Sequence, residues 1–142
     1  MSGLLGDVVA ALGQGLPHLL PHFLATLALL AAGVAIYMAV IPLHERAEIE
    51  RGNVAASVVL AGAIVALALP LAAMLATSGA LIDIVVWGAV AVVIQLLTVG
   101  VASLVFHRLR KTIEGGNVAA ALVLAATEIA VGILNAAVMV PN

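Results

Sequence analysis

Glu128 is the residue best placed to do chemistry. It is the single charged side chain between Val118 and Val140, in a run built mostly of Ala, Val, Leu and Ile. A carboxyl group so isolated in an apolar helix is suited to binding a proton or a small cation, or to bonding one helix to another. Three further polar groups align with it. Gln95 lies near the middle of the charge-free run Ile84–Phe106, Asn135 follows Glu128 by two helical turns, and Asp83 stands just ahead of the run that holds Gln95. Taken in order, Asp83, Asn135, Glu128 and Gln95 trace a polar path from an outer boundary to the middle of a membrane. Two uses remain open. One is a proton- or cation-binding carboxylate in a translocation path. The other is interhelical hydrogen bonding, each contact worth about 0.6–2 kcal/mol.

Other chemistry is poorly served. Cysteine is absent, which removes disulfides, thiolate nucleophiles and thiolate metal ligands. His18 and His22 are one turn apart and could share a metal, but Pro17 and Pro21 are expected to interrupt that turn, and both read as interfacial histidines. His44 and His107 begin the charged connections beside Glu45 and Arg108 and read as solvated loop residues. There is no nucleophile–base pair, phosphate-cradling glycine loop or metal motif. The expectation is a protein with no catalytic residue, no metal and no cofactor, hence not an enzyme.

The elements that position these groups follow from composition. Hydrophobic residues make up 65% of the 142-residue chain and charged residues 8%, and the mean hydropathy is +1.33. A soluble domain carries roughly 25% charged residues, so lipid is the solvent that fits. Leu19–Leu43, Val54–Ile82 and Ile84–Phe106 hold no Asp, Glu, Lys or Arg. With Val118–Val140 they make four stretches, each longer than the ~20 residues that span ~30 Å of hydrocarbon. Lipid offers backbone groups no partner, so each must be a helix. The spans are placed near Leu19–Val40, Val54–Ala76, Leu81–Phe106 and Val118–Met139, with a turn at Thr77-Ser78-Gly79. Pro70 falls late in the second span, where a kink is expected. The first 17 residues read as a short outer segment, and they lack the basic start of a signal peptide.

Orientation follows from the cations. Arg46 and Arg51 sit in the first connection, Arg108, Arg110 and Lys111 in the third, and the opposite side has none. By the positive-inside rule both connections are cytoplasmic and both termini outside. Trp87 and Tyr37 read as aromatic anchors at the outer and inner interfaces. A net charge of −2 with a pI near 6.0 offers no basic face to a nucleic acid.

The chain also repeats itself. Ile49–Gly62 reads IERGNVAASVVLAG and Ile113–Ala126 reads IEGGNVAAALVLAA, identical at 10 of 14 positions and offset by 64 residues. Each repeat holds an even number of spans, so the two share one orientation. Asn53 and Asn117 stand at helix starts, as N-caps or as the lining of a cytoplasmic vestibule. The fold expected is an all-α, integral membrane four-helix bundle made of two parallel-oriented hairpin repeats. A single transmembrane domain covers 1–142, with repeat one at 18–76 and repeat two at 81–142. Small and polar residues stripe the third span (Gly88, Ala91, Gln95, Thr98, Ala102) and the fourth (Ala121, Ala125, Glu128, Gly132, Asn135). The first half has Ala31, Ile64 and Leu71 where the second has Gln95, Glu128 and Asn135, so polarity in the membrane is assigned to the second repeat.

The two GNVAA segments, Asp83-x-x-x-Trp87-Gly88, Ile94-Gln95-Leu96-Leu97 and Leu134-Asn135-Ala136-Ala137 together resemble the bacterial inner-membrane family known as domain of unknown function 350. The resemblance covers most of the chain. It implies a multi-pass inner-membrane protein built of two hairpins, and carries no activity, cofactor or catalytic residue; Glu128 is not part of the family's recurring pattern. The layout is also similar to that of rotary ATPase proteolipids, without their dense glycine repeats. The functional expectation is a homo-oligomer in the lipid bilayer, passing protons, small ions or a small solute with Glu128 as titratable group. The stripe Gly62-x-x-x-Ala66 argues for additional helix partners. The alternative is a non-transporting scaffold or subunit that holds a membrane or cytoplasmic protein partner.

Overall fold

The structure is a computed structural model that describes residues 2–41, 44–106 and 108–140. His107 and the terminal Pro141-Asn142 lie outside the described residues. Six helices follow one another: α1 (Ser2–Val40), α2 (Glu45–Glu50), α3 (Val54–Thr77), α4 (Leu81–Val105), α5 (Leu109–Glu114) and α6 (Val118–Met139). Four of them, α1, α3, α4 and α6, are long and apolar enough to cross a membrane. One end of the bundle carries α2 and α5 and is called the loop end; the other carries the short Ser78–Ala80 connection and is called the turn end.

Each repeated Gly-Asn pair ends one helix and starts the next. Gly52 and Gly116 both adopt φ +82°, a left-handed conformation open to glycine at no steric cost. That geometry lets Gly52 N–H donate to Ile49 O and Asn53 N–H to Glu48 O, both at 2.9 Å, and the same pattern recurs from Gly116 to Ile113 and from Asn117 to Thr112. These are the paired bonds of a Schellman stop, which satisfies the last carbonyls of α2 and α5. The asparagine oxygens then accept the first free amides of the following helices, Ala56 N–H at 3.3 Å and Ala120 N–H at 3.0 Å.

One expectation about the first helix is corrected: Pro17 and Pro21 do not interrupt the turn. A single 39-residue helix runs through both prolines. Apolar flanks favour continued helix, and each proline forfeits only the amide bond to the carbonyl four residues back, Gly13 and Pro17. His22 Nδ1 donates to His18 O at 2.8 Å and Thr26 Oγ1 to His22 O at 2.7 Å, bonds that reinforce the turns following Pro17 and Pro21 without replacing the lost ones. At ~1.5 Å per residue α1 is ~58 Å long, about twice the hydrocarbon thickness. Residues 3–21 are exposed throughout. Pro70 lies buried within α3, which continues past it.

The tightest packing joins α3 to α6. A methyl group added to Gly62 would fall 2.5 Å from Ala125 Cβ, and one added to Gly132 would fall 2.5 Å from Ala66 O. Contacts ascend together along both helices, so α3 and α6 run parallel. In lipid the drive for such pairing is van der Waals contact, which small residues permit by bringing backbones together. The Gly62–Ala66 stripe is therefore used inside the chain and does not call for additional partners. On α4, Gly88 faces Leu71 of α3 and Leu29 of α1, and Gly33 of α1 faces Val92.

Candidate functional site

The stripes read from α4 and α6 turn inward. Ala121, Ala125, Glu128, Gly132 and Asn135 are all buried on α6, and Gly88, Ala91, Gln95 and Ala102 on α4. Thr98 is half-buried and donates to Ile94 O within its own helix. The polar members gather at the centre of the bundle. Glu128 has no exposed surface and Gln95 has 1%.

The partner of the Glu128 carboxyl group is Tyr37 on α1. The Tyr37 hydroxyl donates to Glu128 Oε1 at 2.8 Å, across 91 residues of chain. Tyr37 has no exposed surface and belongs to the core cluster with Ala55, Val59, Ala63, Val99 and Leu124. The expectation of an interfacial aromatic anchor is thus corrected. An aromatic ring near a helix end serves either role, and here the small side chains of α3 leave room for it to fold inward. Gln95 does meet Glu128, but through the backbone: its Nε2 donates to Glu128 O at 3.2 Å. The second carboxyl oxygen, Glu128 Oε2, and Gln95 Oε1 are buried with no partner among the described residues.

Asn135 and Asp83 are placed together, away from that pair. They line a cavity of about 500 Å³ at the turn end, with Trp87, Met74, Thr77 and Ser78 in its wall. Asp83 is exposed, whereas Asn135 is 8% exposed and its Nδ2 has no partner among the described residues. Asn135 thus separates an open cavity from the closed centre around Glu128.

The first half of the chain contributes a second buried acid that sequence reasoning passed over. Glu45, the first residue of α2, is 2% exposed, and neither of its carboxyl oxygens has a partner among the described residues. Burial pushes its carboxyl group up to about 7. With Tyr37 it shows that buried polarity is not confined to the second repeat: α4 and α6 supply Gln95, Glu128 and Asn135, while α1 and α2 supply Tyr37 and Glu45. A signal was present in the repeat, because the residues 64 positions after Tyr37 and Glu45 are the apolar Val101 and Leu109.

The two capping asparagines differ in reach. Asn53 Nδ2 lies 3.1 Å from each of Glu48 Oε2, Ile113 O and Glu114 O, tying α3 to α2 and α5. Asn117 is exposed and its recorded side-chain bond is the cap alone. His44 is exposed at the loop end, where Arg110 donates to its Nδ1 at 3.2 Å. Among the described residues no group of three His, Asp or Glu side chains is arranged to hold a metal.

A family model described as Domain of Unknown Function (DUF350) matches residues 11–139. The chain is 33% identical over 129 residues to UPF0719 inner membrane protein YjfL of Escherichia coli strain K12, an alignment that covers 86% of this chain and 98% of that protein. The protein of the same description from Escherichia coli O157:H7 matches to the same extent. No solved structure gives a significant match.

Proposed function

The chain belongs to the DUF350 family, and from that premise we propose that it is a multi-pass inner-membrane protein that carries protons through the centre of its helical bundle. One observation carries this reading. Glu128 is wholly buried mid-way along α6, is held by the Tyr37 hydroxyl at 2.8 Å, and keeps Oε2 free of partners among the described residues. A carboxyl group used only as glue gains by having both oxygens satisfied. One with a free oxygen beside a phenol can take up and release a proton through an existing hydrogen bond. Protons suit the site better than larger cations, because the side chains around Glu128 are packed and the cavity at Asp83 and Asn135 stops short of it.

The orientation adopted places the loop end in the cytoplasm, since all five Lys and Arg residues lie there. Both termini are then outside. The two hairpins are parallel repeats, a reading supported by the shared Gly-Asn geometry and by the parallel course of α3 and α6. Self-association belongs to the same reading: α1 leaves residues 3–21 uncovered, a large apolar surface for a second copy. No catalysis is involved.

The second reading, a non-transporting scaffold or subunit, is favoured by one contact, the bond from Gln95 to the Glu128 backbone, which fixes α4 to α6 whatever the carboxyl group does. The deciding experiment reconstitutes the protein in liposomes containing a pH-sensitive dye, imposes a potassium diffusion potential, and compares wild type with Glu128→Gln. Proton entry in wild type, lost in the variant while the assembly is unchanged, is the expected outcome. Equal dye responses in wild type, variant and empty liposomes would transfer the case to the scaffold.

A further inference from the structure

Glu45 is buried where nothing in the packing asks for an acid. Both of its oxygens lack partners among the described residues, an arrangement that costs free energy relative to an apolar side chain. The corresponding position 64 residues later holds Leu109, which packs against the core at the start of α5 as Glu45 does at the start of α2. A leucine therefore satisfies this backbone, and the acid needs another explanation.

Its surroundings supply one. Glu45 lies at the wall of a cavity of about 670 Å³ at the loop end, together with Met38, Ile41, His44, Arg46 and Glu50. That space accommodates many waters at ~30 Å³ each. On the inner side the same cavity wall leads to the pair: Met38 follows Tyr37 on α1, and Ile41 shares the core cluster that holds Tyr37. It stands between water-sized space and the buried pair.

We propose that Glu45 is the proton-exchange residue through which the Tyr37–Glu128 pair communicates with water at the loop end. The assignment rests on the proton-carrying reading of Glu128 and adds its missing half, since Asp83 and Asn135 serve the turn end alone. In the inward-to-outward step a water drawn from the cavity bridges Glu45 and Tyr37, which share no direct bond: the Glu45 O–H breaks as the water accepts, a water O–H breaks as Tyr37 Oη accepts, and the phenolic O–H breaks as Glu128 Oε1 accepts its proton. Glu45 ends as carboxylate, Glu128 as carboxylic acid and Tyr37 as neutral phenol, with no change in electron count. Water in the cavity then reprotonates Glu45. A carboxyl group held up to about 7 by burial exchanges protons readily near neutral pH.

The groups that face Glu45 are few. His44, Arg46 and Glu50 share its cavity, Tyr37 and Glu128 lie further inward on α1 and α6, and Arg110 and Glu114 of α5 meet His44 at the rim. The α3 helix brings no titratable side chain. Arg46 is engaged by Glu50 at 3.4 Å and Arg110 by Glu114 at 2.7 Å, which leaves Glu45 without a fixed counterion.

The test measures dye-reported proton flux in liposomes for wild type, Glu128→Gln, Glu45→Leu, Glu45→Gln and Glu45→Asp, with circular dichroism to verify the fold. Glu45→Leu copies the residue already tolerated at position 109, and Glu45→Gln covers the case in which the leucine variant fails to fold. The expected result is a loss of flux on the order of 10²-fold in the Leu and Gln variants, the scale at which a positioned proton carrier acts. Glu45→Asp should retain part of the flux with a displaced pH profile, which a purely structural role would not produce. If Glu128→Gln abolishes flux while Glu45→Leu or Glu45→Gln conducts as wild type, Glu45 is not the port and the Glu128 reading stands. If wild type and Glu128→Gln behave alike, the carrier reading fails and the port fails with it.

Discussion

The bond between Tyr37 and Glu128 can be tested without any assay of function. Replacing Tyr37 with Phe keeps the ring in the core cluster and removes only the hydroxyl that donates to Glu128 Oε1 at 2.8 Å. Since Oε2 already lacks a partner among the described residues, the variant leaves the whole carboxyl group without a donor there. A buried acceptor stripped of its donor costs about 1–3 kcal/mol, while interhelical bonds in membranes reach only about 1.7 kcal/mol. A destabilisation of about 1–2 kcal/mol is therefore expected. Glu128→Leu alone orphans the hydroxyl instead and should cost a similar amount. The double variant removes both polar ends, and apolar replacement of a half-satisfied pair is nearly neutral. Its stability should return close to wild type, giving a coupling of about 2–4 kcal/mol. Reversible unfolding in mixed micelles, followed by far-ultraviolet circular dichroism, measures all four proteins. Single effects that simply add, within about 0.3–0.5 kcal/mol, would refute the claim that Tyr37 holds the acid.

Two other predictions concern packing and pH. Gly132→Ala forces a methyl into Ala66 O and should cost about 1–3 kcal/mol, whereas Gly100→Ala, which meets nothing within 4 Å, should be neutral or stabilising by up to about 1 kcal/mol; the same unfolding titration compares them, and equal effects would contradict the close approach of α3 and α6. Burial raises the Glu45 carboxyl from 4.5 to about 7, so the folded state holds a proton that the unfolded state has lost. Stability should be greatest below about pH 4.5, decline by up to about 3 kcal/mol as pH climbs towards 7, and level off above it. Glu45→Gln should flatten that decline, and an unchanged slope in the variant would count against the burial of an uncompensated acid.

The spans were legible because polarity contrast along the chain is a local property. The starts of α3 and α6 at Val54 and Val118 coincide with the edges of charge-free runs and with a capping asparagine, and that of α4 at Leu81 follows the turn read at Thr77-Ser78-Gly79. The start of α1 was not legible, because proline signals a break in water but a tolerated irregularity where apolar neighbours and side-chain donors support the helix. Short α2 and α5 were hidden in charged connections whose composition suits a loop or a helical turn. At the site, the inward stripe on α6 was readable from spacing. The donor to Glu128 was not: Tyr37 lies 91 residues away, and an amphipathic ring near a helix end carries no mark of which way it turns. Glu45 was masked by its neighbours, since an acid among Arg46, Glu48, Glu50 and Arg51 looks solvated until packing singles it out.

The amide of Asn53 grips the carbonyls of Ile113 and Glu114, while its twin at position 117 grips nothing beyond its own helix. Near-identical segments have therefore come to bear unequal duties, and their freedom to vary should differ accordingly. Serine or aspartate at 117 preserves all that residue does, whereas at 53 only a side chain offering both an acceptor and a two-proton donor keeps the halves fastened. Were the chain cut in the Ser78–Ala80 turn and its pieces mixed, this small polar clasp would help them find their register again.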